Sequence, residues 1–295
     1  MQLWIWRNFR FYLPVQWEML QYSRNPERGR CAFADRYQFR FELNWRKVPG
    51  PPDFERMMSD YHAKLAGKEK RKQVKRIDIE NWNGIEARTG KLLTSRFGRF
   101  FRSESCIVEL VFTWLGQKDI NLIQQVLASF AEEPEHQQLF RRWCAFGMDF
   151  LVSKDLLLEQ CRVEPSTVQM IFAKSATRQQ ESFARYGMVK ERLHISVGEW
   201  LCDQLKKFAA PAPVTTYTVN THKIEYTNCK KRIQGLRGIM GAQLRHDAAA
   251  WICPQDGRLY HISLMRPDRE LERNEKLAGA RLSCCANLAL VVKSK

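Results

Sequence analysis

Residues 37–45 read YQFRFELNW, so apolar and polar side chains alternate through the whole stretch. Successive side chains of a β-strand point to opposite faces, and the alternation is therefore typical of a strand with one buried face. The apolar face would carry Tyr37, Phe39, Phe41, Leu43 and Trp45. Arg40, Glu42 and Asn44 would lie on the opposite face. This is the clearest strand pattern in the chain.

Further strand patterns surround it, together with two helical ones. The predicted strands of the first half cover residues 5–11, 16–22, 30–34, 77–82, 85–88 and 106–114. Asp53 and Asp119 can each cap the free amides of a first helical turn, and apolar residues follow both at helical spacing. The acidic, proline-containing segment 131–136 then separates this half from the next.

The second half repeats this order more faintly. Its predicted strands cover residues 146–150, 156–163, 168–174, 217–226, 236–244, 248–253 and 258–264. Helices are predicted over 195–208 and 268–277, and the segment 209–213 is rich in alanine and proline, as expected for a linker.

Each half thus runs strands, helix, long connection, strands and helix. This order predicts an α+β fold with two tandem antiparallel-sheet domains, each with helices packed on one face. We place the first domain at residues 1–135 and a second, divergent domain of similar element order at 136–295. Duplication is a hypothesis from element order, because the residue identity between the halves is weak.

An ordered set of motifs runs through the first 135 residues. They are Phe11-Tyr12-Leu13-Pro14 with Trp17, the helix 53–65, Asn83-Gly84-Ile85-Glu86-Ala87, the strand 106–114, and Ser129-Phe130. None of them is specific alone, but in this order they resemble the PsbP/DcrB-like superfamily. The second half is similar only in its element order.

That superfamily includes an extrinsic subunit of photosystem II, a Ran-binding nuclear import factor, periplasmic lipoproteins and chaperones of secretion effectors. The resemblance implies a rigid sheet that serves as a docking platform, generally without catalysis. This chain departs from it by its double length and its basic character, and it lacks the signal peptide of exported members. Fold analogy is in any case a weak argument for function.

The charge balance bounds the choice of partner. The 295 residues include 48 Lys and Arg against 32 Asp and Glu, a formal net charge of +16. Such an excess creates a positive potential that favours an acidic protein or nucleic acid. Arg7 and Arg10 interrupt the N-terminal apolar residues, and no apolar run approaches the ~20 residues of a membrane helix. We therefore expect no membrane insertion.

Cysteine usage indicates the compartment. The nine cysteines are odd in number and irregularly spaced, which favours free thiols in a reducing, cytoplasmic setting. The residues tested as metal ligands or nucleophiles are Cys229, His246, Cys253, His261, Cys284 and Cys285. No Cys-x-x-Cys pair occurs, and no orienting carboxylate accompanies the Cys253–His261 hairpin. The sequence therefore predicts no metal, no cofactor and no catalytic residue.

Basic clusters are the sharpest functional signal. The candidate partner-binding residues are Lys68, Lys70, Arg71, Lys72, Lys75, Arg76, Arg96, Arg99, Arg102, Lys230, Lys231 and Arg232. Each cluster is equally well explained as a solvated loop. The cluster within 64–76 could neutralise several phosphates, but it contains no aromatic residue for base stacking.

These observations predict a non-catalytic protein-binding module. We interpret the chain as an adaptor, chaperone or assembly subunit of a bacterial complex, and we expect an acidic protein as its partner. The alternative is a basic nucleic-acid-binding protein that uses Lys64–Arg76.

Overall fold

The chain folds as two compact units. The computed structural model describes residues 1–68, 73–134, 139–174, 177–232, 243–268, 277–288 and 290. The first unit comprises Met1–Trp4 and Phe9–Glu132, and the second comprises Ile5–Asn8 and Glu133–Lys295. The domain limits 1–135 and 136–295 remain a prediction.

The α+β prediction is wrong. Strands account for 54 % of the structure and helices for only 17 %, and the strands form three antiparallel sheets of six or seven. Within the described ranges the helices are five in number and short. The sequence analysis missed six strands altogether and so underestimated the share of strands; they cover residues 73–76, 92–101, 131–132, 140–145, 179–186 and 282–283.

The first unit is built mainly on a seven-stranded sheet of order β3-β4-β5-β9-β8-β7-β6. Its elements are β2 (Phe9–Leu13), β3 (Glu18–Tyr22), β4 (Arg28–Ala34), β5 (Phe39–Lys47), α1 (Phe54–Lys68), β6 (Gln73–Arg76), β7 (Asn83–Thr89), β8 (Leu92–Phe101), β9 (Cys106–Leu115), α2 (Ile120–Ser129) and β10 (Ala131–Glu132). The strand β1 (Gln2–Trp6) precedes them.

The second unit has a seven-stranded sheet of order β13-β14-β15-β19-β18-β17-β16. Its elements are β11 (Phe140–Ala145), β12 (Met148–Ser153), β13 (Leu157–Glu164), β14 (Thr167–Lys174), β15 (Gln179–Tyr186), α3 (Val189–Arg192), α4 (Val197–Lys206), β16 (Thr215–Val219), β17 (His222–Arg232), β18 (Gln243–Ile252), β19 (Leu259–Pro267), α5 (Leu277–Ala280), β20 (Leu282–Ser283) and the 3-10 turn Ala286–Leu288.

The two seven-stranded sheets share one strand order. In each, three strands form a meander, a helical segment follows, and four more strands return so that the last pairs with the third. The predicted strand at 236–244 and the predicted helix at 268–277 fall largely outside the described residues. Of that predicted helix the structure describes only Asp268 and Leu277, and Leu277 begins the short turn α5.

The strand at 37–45 is confirmed from Phe39 onward. Phe41, Leu43 and Trp45 are buried, while Tyr37 is 82 % exposed. The Asp35 carboxylate accepts hydrogen bonds from the amides of Tyr37 and Gln38, which holds Tyr37 in a turn before the strand. The period-two pattern therefore predicted the strand, but not the turn at its start.

The C-terminal segment of the second unit is anchored by a buried ion pair. Arg281 donates to Glu181 at 2.6 Å and to the carbonyl of Leu151 at 2.9 Å, and both charged side chains are 1 % exposed. Glu181 also accepts from the amide and the hydroxyl of Ser153. Burial of a charge is costly unless it is paired and hydrogen-bonded, and here both partners are.

Removal of one partner from this pair should destabilise the fold strongly. We expect Arg281→Met to lower the free energy of unfolding by about 3–5 kcal/mol, because it leaves a buried carboxylate without its main partner. The matched control is Arg162→Met, whose pair with Glu164 is exposed and should be worth about 0–1 kcal/mol. Urea unfolding of both variants measures the difference, and equal losses would contradict this prediction.

A buried histidine predicts acid sensitivity. Burial lowers the pKa of His261 to about 3, with a smaller effect from His246. Above the ordinary pKa of 6.5 both folded and unfolded states are neutral there, so stability is complete. Below it the unfolded state takes up a proton first, and stability should fall by up to about 1.4 kcal/mol per pH unit.

The test is urea unfolding at pH 7 and pH 5 for the wild-type chain and His261→Phe. His261 packs edge-on against Trp200, a position that a phenyl ring can fill. We expect the variant to lose less stability on acidification than the wild type. An identical pH dependence in the two proteins would show that this imidazole is not responsible.

Candidate metal centre

Four metal-ligating side chains of the second unit converge at one point. They are His222, Cys253, Cys284 and Cys285, and their donor atoms all lie within 4.8 Å of one another. His222 and Cys253 are fully buried, and the two adjacent cysteines are half-buried.

The sheet places the first two ligands side by side. Strand β17 pairs with β18 so that Glu225 lies opposite Ala250, and continuing this register brings His222 opposite Cys253. A tight hairpin turn precedes His222, with Asn220 in the left-handed conformation at a φ of 52°. Cys253 begins the next turn, which closes when its carbonyl accepts from the Gly257 amide at 2.9 Å.

The C-terminal segment supplies the other two ligands. Strand β20 pairs with β12 through Leu282 and Ser283, directly before Cys284. The indole of Trp251 donates to the Cys284 sulfur at 3.3 Å, and the side-chain amide of Asn220 donates to the carbonyl of Asn287. These contacts fix the segment on both sides of the two thiols.

The distances fit a tetrahedral metal. Nε2 of His222 lies 3.3 Å from Sγ of Cys284 and 3.4 Å from Sγ of Cys285, and the two sulfurs are 3.7 Å apart. Zinc–sulfur bonds of about 2.3 Å and zinc–nitrogen bonds of about 2.0 Å give a sulfur–sulfur edge of about 3.8 Å and a sulfur–nitrogen edge of about 3.5 Å in a tetrahedral site. The three observed edges are therefore close to those of a Cys₃His zinc site.

Burial controls the protonation of these ligands. It raises the pKa of Cys253 and of Cys284, so both are protonated at neutral pH without a cation. Burial lowers the pKa of His222, against opposing effects of the Val219 backbone and the Asp256 charge. The imidazole is therefore neutral and can offer Nε2 as a ligand.

A cavity provides a route to the site. A space of about 380 Å³ is lined by Cys284 and Cys285 together with Arg142, Cys144 and Asp149. Burial raises the pKa of Cys144 to about 12, so this thiol also stays protonated. A cation can thus reach the two adjacent cysteines from one side of the second unit.

The thiol–imidazole pair considered from sequence does not form. His261 pairs in register with Ala184 and Ala250 and contacts Trp200, whereas Cys253 belongs with His222. Cys229 and His246 lie opposite each other on β17 and β18, away from the cluster. The sequence analysis named three of the four converging residues but not His222, whose only signal is its position after a turn.

Within the first unit, four of the predicted basic residues make side-chain contacts inside the fold. Lys75 pairs with Glu86 at 3.0 Å, and Arg96 with Glu109 at 3.2 Å. Arg76 pairs with Glu55 at 2.6 Å and with Asp78 at 2.8 Å. Arg99 lies over the ring of Phe101 at 4.8 Å, and Arg102 lies in the turn between β8 and β9. Of the remaining members, Lys68 is the last residue of α1, while Lys70, Arg71 and Lys72 lie outside the described residues.

Two of the predicted basic residues of the second unit also make contacts inside the fold. Lys230 pairs with Asp268 at 2.8 Å, and Lys231 lies over the ring of Phe208 at 5.3 Å. Arg232 is the exposed last residue of β17. Among the described members of the twelve, the structure therefore shows no group of unpaired cations on one shared surface. Their role in partner binding remains a prediction.

No protein-family model matches this chain, and no curated protein is significantly similar to it. The PsbP/DcrB-like resemblance therefore stays a prediction. None of the helices that the structure describes is long and apolar enough to cross a bilayer.

Thiol protonation predicts the pH dependence of metal uptake. Because Cys253 and Cys284 carry protons at neutral pH, a bound zinc ion must displace them, and affinity should fall as the pH is lowered. Calorimetric titration with zinc in two buffers of different ionisation enthalpy should show release of about two or more protons. Uptake with no proton release would place the metal elsewhere.

Proposed function

We propose that this chain is a non-catalytic binding protein whose second unit is completed by one structural zinc ion. The observation that carries the proposal is the convergence of one imidazole and three thiols within 4.8 Å. Cys₃His is a common ligand set of structural zinc sites, and thiolates select zinc over hard cations such as magnesium.

A structural role is favoured over a catalytic one because the protein fills the coordination sphere. Catalytic zinc sites have three protein ligands and keep a fourth position for water or substrate. Here four protein donors are in place, so a tetrahedral ion has no open position. This supports a structural rather than a catalytic role for the ion.

The metal would join two parts of the second unit that are distant in sequence. His222 and Cys253 belong to one end of the seven-stranded sheet, and Cys284 and Cys285 belong to the C-terminal segment. Since a preformed site is absent from the unfolded chain, the binding free energy of the ion adds to folding stability. A cytoplasmic location, where thiols stay reduced, is part of the same proposal.

An acidic protein is the partner that the net charge of +16 favours. Many of the cations in the predicted clusters are held in pairs within the fold, which reduces the charge available for phosphates. No specific contact among the described residues favours the nucleic-acid alternative.

Metal analysis tests the site directly. Protein purified without an affinity tag should contain about one zinc per chain by plasma mass spectrometry. Cys253→Ser and Cys285→Ser should each lose most of this zinc and unfold at a lower temperature. The matched control is Cys202→Ser, which alters a half-exposed thiol on α4 outside the cluster.

Cobalt substitution provides an independent readout. A tetrahedral cobalt–thiolate site gives intense visible bands and sulfur-to-metal charge transfer, which should appear in the wild type and the Cys202→Ser control. Zinc-free protein that neither takes up cobalt nor gains thermal stability with zinc would rule the proposal out.

A further inference from the structure

An apolar groove separates helix α1 from the sheet of the first unit. It has a volume of about 480 Å³. Its apolar lining comprises Phe54, Met57, Met58, Tyr61, Ile85 and Ile107. Small-molecule sites are typically concave, mostly apolar and about 300–1,000 Å³ in volume, and the groove falls within this range.

In the second unit, side chains of the corresponding helix fill the space that is open in the first unit. Its helix α4 follows the same three-strand meander, and Leu201 and Leu205 of that helix are fully buried in one core with Ala248 and Ala250 of the sheet. On α1, by contrast, Met57 is 44 % exposed. The apolar side of α1 therefore faces open space that its counterpart fills.

Helix α1 is nevertheless fixed in place. The two carboxylate oxygens of Glu55 accept from the guanidinium of Arg76 at 2.6 Å each, and Asp53 accepts from the Arg56 amide at 3.0 Å. An added Cβ on Gly98 would lie only 3.3 Å from the ring of Phe54, so the helix and sheet meet closely at this end. The groove is thus preformed rather than a gap that could simply collapse.

Cations dominate the charges that line the groove. Of its two carboxylates, Glu109 is held by Arg96 and by the amide of Asn44, and Asp60 lies 4.0 Å from Arg56. Arg46 and Lys64 also line the groove, and neither has an ion-pair partner among the described residues. An anionic group at the groove would be attracted to these two cations.

We infer that this groove binds a single-chain amphiphile with an anionic head group, of the long-chain carboxylate class. The alkyl chain would lie between α1 and the sheet, where the flexible methionines can adapt to it. The head group would lie near Arg46 and Lys64. This site is separate from the zinc site and does not depend on it.

Calorimetry with decanoate and nonyltrimethylammonium, which both carry a nonyl chain, tests the inference on the full chain. Decanoate should bind with one site per chain, and the cationic amphiphile at least about tenfold more weakly. Arg46→Glu and Lys64→Glu should each weaken decanoate binding by about twofold to fivefold, whereas Lys91→Glu, in an exposed hairpin turn, should not.

A groove-filling substitution distinguishes this site from nonspecific adsorption. Ile107→Trp should weaken decanoate binding at least about tenfold, and the control Val163→Trp, on an exposed position of β13, should leave it unchanged. Equal binding of the two amphiphiles, or unchanged binding by folded Ile107→Trp, would overturn the inference. So would a total lack of decanoate binding by folded wild-type protein.

Discussion

The buried pair of Arg281 and Glu181 is the constraint on which the architecture of the second unit depends. Two charges in a low-dielectric interior are tolerated only in a narrow range of positions, because each must keep its hydrogen bonds. The pair also engages the Leu151 carbonyl and Ser153, so it ties the C-terminal segment to two strands. Arg281 lies three residues before Cys284, so the pair helps to hold Cys284 and Cys285 beside the ligands that the sheet provides.

Buried polar residues, of which this ion pair is one example, explain why the sequence predicted only part of the fold. Strand β5 was recognisable because its buried face is wholly apolar from Phe41 to Trp45. Strand β15 was missed because Glu181 and Ser182 occupy buried positions and break the alternation. In β8 the buried Ser95 donates to the buried Glu86, with a similar effect on the pattern. A strand whose buried polar groups form their hydrogen bonds only through tertiary contacts lacks the alternating pattern, so periodicity does not predict it.

The candidate metal site was still less predictable. Sequence signatures of zinc sites depend on ligand pairs at short spacing, because one loop then supplies two ligands. Here His222 and Cys253 come together through strand register, and the adjacent cysteines arrive through a separate segment. The absence of a Cys-x-x-Cys pair therefore excluded one way of building the site and not the site itself. The adjacent pair Cys284-Cys285 was the only local signal, and it was interpreted as two buried thiols.

The two units share one strand order, but the space between helix and sheet is filled in one and open in the other. Under α4 the sheet presents alanines, and large apolar side chains of the helix fill the space above them. Under α1 the sheet presents Arg96, Gly98 and Glu109. Arg96 pairs with Glu109 and its guanidinium lies over the ring of Tyr61 on the helix, so this contact leaves a groove where the second unit has a filled apolar core. Close packing of the second unit favours rigidity, which suits a structural metal. The looser contact in the first unit leaves apolar surface beside Arg46 and Lys64, which have no ion-pair partner among the described residues. Such surface is more readily explained by a ligand than by stability.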